Sequence, residues 1–304
     1  MNLSKQTIII LSFFLSVRAV GQQTPSFSDY YYNPLLINPG YTGMTSSLEI
    51  NLSSYGSLES FEGSPRTFTA SLNAPIAVNS MGISGGIVVD RIGVTNITKI
   101  FVGYAYKIEF DSGYNKARWW KYEPRVFSFG INAGGLFYNE NLTSLNIPDD
   151  PNFENDLNEL LPSFGVGIVY NHENFYLGIS TQNLFANISD ESKNISINNP
   201  YYAYGGYKIY LGRFNEFRFL PSFLIKLENG APAQIDVNTT LNYKNKIEIG
   251  GGYRSKTSFN ALVGLYVAKK IRFAYNYNIF NTNTPFPNTH GIILTLKSGK
   301  EFYQ

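Results

Sequence analysis

The stretch "KIRFAYNYNI" (270–279) puts Ile271, Phe273, Tyr275, Tyr277 and Ile279 on one side and Arg272, Ala274, Asn276 and Asn278 on the other. That is the period-two signature of a strand with unlike faces. "QIDVNTTLNY" repeats it, with Ile235, Val237, Thr239, Leu241 and Tyr243 opposing Asp236, Asn238, Thr240 and Asn242. In "RVFSFGINAGGLFY", Phe127, Phe129, Ile131 and Ala133 oppose Ser128, Gly130 and Asn132. We read the polar faces as small and uncharged. Comparable segments recur at 47–54, 66–73, 81–90, 95–108, 125–138, 161–170, 174–183, 201–211, 216–227, 233–243, 246–253, 258–267, 270–279 and 289–296. The count is roughly fourteen, with 12 to 16 allowed, and single-chain bacterial barrels use even numbers.

Composition decides what such strands build. Aromatic residues make up 16% of the chain and charged residues only 15%, with 27 glycines. A soluble domain carries nearer a quarter charged residues, so an aromatic β-sandwich is disfavoured. Apart from the N-terminal leader, no apolar run is long enough for a membrane helix. The remaining membrane architecture is a closed barrel, because only full strand pairing satisfies every backbone amide in hydrocarbon. The fold expected is therefore all-β: a transmembrane antiparallel outer-membrane β-barrel preceded by an N-terminal non-strand segment. Tyr104, Tyr106, Tyr201, Tyr202, Tyr204, Phe217, Phe219, Tyr275 and Tyr277 are expected to form interfacial girdles. Short links such as "KNK" (244–246) and "AKK" (268–270) suit periplasmic turns, and the long stretches 141–160 and 185–199 suit external loops.

Lys5, the apolar run 7–17 and the small residues Ala19 and Gly21 read as a secretory signal over 1–21. No cysteine is present, which removes disulfides, thiolate metal sites and a lipidated N-terminal cysteine. The formal net charge of +2, without a basic block, argues against a nucleic-acid partner.

The segment "FSDYYYNPLLINPGYTG" (27–43) fits neither strand nor helix, since two Asn-Pro pairs interrupt it. It is too apolar to lie in water. Residues 22–46 are therefore read first as a plug folded into the lumen, next as a docking surface at the periplasmic mouth and last as a barrel-closing first strand, with 47–304 as the barrel. The candidate plug or partner-binding residues are Phe27, Tyr30, Asn33, Pro34, Leu35, Ile37, Asn38, Pro39, Tyr41 and Gly43. Asn33 and Asn38 are expected to cap turns and to bond to polar lumen groups.

Candidate catalytic chemistry is thin. His172 and His290 are far apart in sequence and neither accompanies a G-x-S-x-G elbow. Asp149, Asp150, Glu154 and Asp156 lack the spacing and central glycine of a hand-type calcium loop. The runs 84–86, 133–135 and 250–252 read as glycines for close interior approach, not phosphate cradles. No catalytic residue, metal or cofactor is expected.

The opening motif "FSDYYYNPLLINPGYTGM" resembles that of the PorP/SprF family of the type IX secretion and gliding machinery of Bacteroidetes. The likeness continues through "GSPRTFTASLNAPI", "MGISGGIVVDRIG", "YAYKI", "LPSFGVGIVY", "FYLGISTQNLF", "LPSFLIK" and "GGYRS". It departs where the family carries Arg and Trp ahead of the G-x-P turn and this chain has "SSYGSLESFEGSP", and at "YNYN" and "PNTHG" near the end. The resemblance implies a non-enzymatic role in the outer membrane, in export or surface anchoring of secreted proteins. Its implied partners are membrane lipid and either PorK, PorL, PorM, PorN and the peptidoglycan-binding lipoprotein PorE, or an adhesin with a type B C-terminal domain. The alternative function is a diffusion pore or small-solute transporter, which a lumen of Asn, Thr, Gly and Ser would permit if open.

Overall fold

A computed structural model describes residues 30–57, 63–76, 80–110, 125–147, 150, 153–185, 197–267, 270–281 and 287–298. Residues 1–21, expected as a leader, and Phe27 lie outside them. The strands are β1 (Leu48–Gly56), β2 (Arg66–Pro75), β3 (Met81–Ile92), β4 (Thr95–Phe110), β5 (Arg125–Glu140), β6 (Leu157–Asn171), β7 (Phe175–Leu184), β8 (Tyr201–Tyr207), β9 (Ile209–Leu211), β10 (Phe217–Leu227), β11 (Gln234–Tyr243), β12 (Ile247–Arg254), β13 (Ser258–Val267), β14 (Ile271–Phe280) and β15 (Thr289–Ser298). Lys208 alone separates β8 from β9, and both pair with β10, so the fifteen segments make fourteen staves. Neighbours are antiparallel throughout, and β1 against β15, from Leu48↔Ser298 to Gly56↔His290, closes the ring. Closure leaves no strand edge for lipid to desolvate.

The alternation read from the sequence becomes the division between lumen and membrane. Along β14, Arg272, Ala274, Asn276 and Asn278 are buried inside, whereas Ile271, Phe273, Tyr275 and Ile279 are exposed outward. β11 follows the same rule. The chain enters β1 and leaves β15 at one end of the barrel, the end that also carries the turns 172–174 and 244–246. The long connections 141–156 and 185–200 lie at the other end. Apart from the link 111–124, which lies outside the described residues, the links on the side of the termini are short, as periplasmic turns are.

Four details differ from the sequence reading. β6 begins at Leu157, inside the expected loop, and β4, β5 and β6 reach 16, 16 and 15 residues, so this part of the wall rises beyond the bilayer. The lumen is not uncharged: Arg254 grips Asp236 with two bonds of 2.9 and 2.8 Å, and Lys226–Glu228 (3.0 Å) and Lys297–Glu49 (3.4 Å) are further inward pairs. Tyr202 and Tyr204 are not girdle residues but point inward, 7% and 2% exposed. Tyr104 stands mid-strand, not at an end. Outward aromatic pairs do sit near both rims, Phe217–Tyr243 at the periplasmic side and Tyr253–Phe259 at the outer side.

Candidate functional site

Residues 30–47, ahead of β1, enter the barrel. Two 3-10 turns, η1 (Pro34–Leu36) and η2 (Pro39–Tyr41), each begin on the proline of an Asn-Pro pair. A proline suits that position because its fixed φ is already helical and its missing N–H would have no partner there. Asn38 caps η2 as expected, its Oδ1 accepting from Gly40 N–H at 2.7 Å. Asn33 does not cap; its Nδ2 donates to Ser71 Oγ at 2.9 Å across the lumen.

Polar bonds fasten the segment to widely separated staves. Asn38 Nδ2 donates to the carbonyls of Ile168 (3.0 Å) and Ile179 (3.2 Å). Ser180 Oγ and Gln182 Nε2 donate to Ile37 O at 2.7 and 3.1 Å. Gly43 N–H donates to Asn73 Oδ1 (2.6 Å), and Lys107 Nζ donates to Gly43 O (2.6 Å). On the opposite wall Tyr32 Oη donates to Glu248 Oε1 at 2.9 Å while the Arg272 guanidinium lies 4.2 Å from its ring centroid. Such an arrangement gives the carboxylate a phenol donor and the cation an aromatic face. Tyr30 Oη reaches Ser222 Oγ at 3.3 Å. Burial pushes the Tyr30 phenol up to about 12, against the lowering effect of Ser222, and holds Tyr32 well above the ordinary tyrosine range.

Backbone approach explains several glycines. Gly43 has φ +68°, and its Cα lies where a side chain on Gly82 would have to go. A Cβ on Gly130 would strike the Pro39 carbonyl, and one on Gly167 would strike the Asn38 amide. Glycine is the one residue that lets the turn press on the wall at these points.

The apolar side chains find matching patches. Tyr30 and Ile37 pack with Val169, Tyr202, Tyr204 and Leu224; Tyr32 packs with Leu262, Ala274 and Ile293. Leu35, Ile37, Asn38 and Thr42 are 1% exposed or less. The sequence carried a signal for this wall that the alternation count overlooked. Ile168–Val169, Leu224–Ile225, Leu262–Val263 and Ile292–Ile293 are consecutive apolar pairs in otherwise alternating strands. Such a pair puts one apolar side chain in the lumen, where it needs a protein partner and not water.

The structure thus brings Tyr30, Asn33, Pro34, Leu35, Ile37, Asn38, Pro39, Tyr41 and Gly43 into one lumenal segment; Phe27 lies outside the described residues. The histidines are not brought together. His172 stacks on Phe175 in the periplasmic turn, 4.9 Å between centroids, and His290 contacts Tyr275 and Tyr277 near the outer rim. Of the loop carboxylates, Asp156 accepts from Thr143 N–H and Oγ at 3.0 and 2.9 Å, and Asp149 lies outside the described residues.

With the barrel and its lumenal segment in view, comparison with known proteins decides the family. The sequence model of the type IX secretion system membrane protein PorP/SprF matches residues 19–296. The chain belongs to the PorP/SprF family. It is an integral outer-membrane barrel of that family, and the match runs through both the lumenal segment and nearly the whole barrel. No curated protein matches it. Among solved structures it is similar to the Ralstonia pickettii toluene transporter TbuX (8% identity, TM-score 0.48, covering 87% of this chain and 93% of that one). It is also similar to the NanC porin (9%, 0.40, 83% and 100%) and to a bacterial polysaccharide outer membrane secretin (10%, 0.37, 83% and 99%). Likenesses of that order carry no argument about activity.

Proposed function

We propose that this PorP/SprF member is a non-enzymatic component that supports export or surface anchoring of secreted proteins, such as adhesins with a type B C-terminal domain, and that residues 22–46 plug its barrel. The observation that carries the plug is the ring of anchors: one short segment bonds to Ser71 on β2, Lys107 on β4, Ile168 on β6, Ser180 on β7, Ser222 on β10 and Glu248 on β12. A segment held on so many sides crosses the lumen and leaves recognition of partners to the barrel's two mouths. The competing reading, a diffusion pore, requires a lumen free of protein.

Deleting 27–43 separates the two. The intact protein should be silent in planar bilayers, and the deletion should conduct while still supporting surface display of the adhesin class. Steady ohmic conductance from the intact protein would support the pore. Loss of partner binding without any conductance would make the segment a docking surface instead. Unchanged surface display after deleting the whole chain would remove the export role.

A further inference from the structure

On the side of the long connections, the outward faces of β2 to β6 end in one cross-strand row. Arg66 stands opposite Arg91, Arg91 opposite Asn96, Asn96 opposite Asn139 and Asn139 opposite Asn158. The row closes the membrane-facing apolar run of its strands. Below Arg66 the outward residues of β2 are Phe68, Ala70, Leu72 and Ala74, and below Arg91 those of β3 include Val89, Ile87 and Ile83. Below Asn139 the outward residues of β5 run from Phe137 to Phe127, a separation of ten residues. At about 3.4 Å per residue and a tilt of about 40° that run rises roughly 26 Å, the height of the apolar band on such a barrel. The row therefore stands where hydrocarbon gives way to head groups.

Its two arginines form a like-charge pair. Residues directly opposite on antiparallel strands have Cβ atoms about 5 Å apart, so Arg66 and Arg91 repel each other. Among the described residues neither forms an ion pair or a side-chain hydrogen bond. The Arg66 stem leans over Gly56 of β1, away from Arg91: a Cβ on Gly56 would stand 3.2 Å from Arg66 Cγ. Beside Arg91, the Oδ1 of Asn96 is buried and has no hydrogen-bond partner among the described residues. A guanidinium carries five N–H donors in a fixed fork, enough to serve a phosphate and that oxygen together. A phosphate between the two guanidinium groups turns their repulsion into charge-assisted bonds. At the outer ends of β10 to β13 the outward residues are instead Leu227, Ile235, Tyr253 and Phe259, so the cationic pair belongs to one sector of the wall.

Past the arginines the row continues as amides, with Asn139 Nδ2 donating to Asn158 Oδ1 at 2.6 Å in an exposed position. Amides offer hydroxyl groups both donors and acceptors. An anion, a set of hydroxyls and acyl chains therefore each meet their complement on this sector: the arginine pair, the amide ladder and the apolar run below. We propose that the row binds one phosphorylated glycolipid of the outer leaflet, its phosphate between Arg66 and Arg91, its sugar along Asn96, Asn139 and Asn158, and its acyl chains on the apolar face beneath.

The test uses the full-length barrel, delipidated in mild detergent, titrated with lipid A and read by native mass spectrometry. Arg66→Gln/Arg91→Gln removes the cationic pair; Lys246→Gln/Lys270→Gln removes the same charge from the periplasmic turns. Heat-modifiable gel mobility verifies that each variant is folded. The expected result is lipid A held equally by the wild type and the lysine variant, and about tenfold more weakly by the arginine variant. Equal retention by all three means annular lipid only and overturns the proposal. Lipid A stripped of its phosphates and held as tightly as the intact lipid overturns it too. Phosphatidylglycerol held as tightly as lipid A overturns the glycolipid assignment, and so the proposal as stated. If the arginine variant runs unfolded, Arg66→Gln alone and Arg91→Gln alone replace it, with the same outcomes read.

Discussion

Replacing Asn38 by alanine tests whether the lumenal segment is a fixed plug. The side chain is fully buried, donates to Ile168 O and Ile179 O, and accepts from Gly40 N–H. The two carbonyls belong to paired strands, so losing each donor costs about 0.5 to 1.5 kcal/mol. The Gly40 N–H is left buried without its acceptor, which costs about 1 to 3 kcal/mol more. The sum is about 3 kcal/mol near the lower middle of those ranges, or roughly a hundredfold shift toward the displaced segment at 1.4 kcal/mol per factor of ten. Water entering the vacated space would recover part of this, so about tenfold is the smallest expected effect. No strand-to-strand bond is touched, and β-type circular dichroism and heat-modifiable mobility should match the wild type. Single-channel recording in planar bilayers is the assay. Openings should rise from rare to at least tenfold more frequent. An unchanged opening frequency in correctly folded Asn38→Ala protein would refute the claim that these three bonds hold the segment.

Val263 is mid-strand and outward, so Val263→Arg should cost about 2 to 4 kcal/mol of barrel stability, whereas Phe273→Arg, two residues from the start of β14, should cost nearer 1 kcal/mol. Urea titration of vesicle-folded protein checks both, and a reversed order would contradict the depth assignment. Asp236→Ala leaves Arg254 buried without its bidentate partner and should destabilise by about 3 to 5 kcal/mol; a neutral result would mean that water reaches the pair. Conductance should also depend on alkaline pH. The Tyr30 phenol is raised from 10.0 to about 12, so its contribution to holding the segment is fully present below pH 10 and is lost as pH rises through about 12. Channel openings should therefore increase over that window, and Tyr30→Phe should move the onset higher; a flat response from pH 9 to 12 would contradict the buried phenol.

The order of the strands, their approximate number and the face taken by most of their side chains were legible in the sequence alone. Period-two alternation is a local property, and the bilayer enforces it along the membrane belt: outward residues there meet hydrocarbon, so a strand such as Ile271–Phe280 reports its own orientation. The interior offers no such uniform solvent. Whether an inward residue meets water, an ion partner or another part of the chain depends on what lies across the lumen, and that is set by contacts such as Tyr32 with Glu248, 216 positions apart. For that reason the inward faces were read as uncharged, although the sheet pairs Arg254 with Asp236 through two bonds. Tyr202 and Tyr204 likewise looked like rim aromatics, although they pack on Tyr30 and Ile37. The two Asn-Pro pairs showed that residues 27–43 could join neither helix nor strand, because proline acts on its own backbone and its neighbour. Where the segment goes was decided by the tertiary structure, since only the closed wall brings Gly82, Gly130 and Gly167 to the places where its backbone must approach.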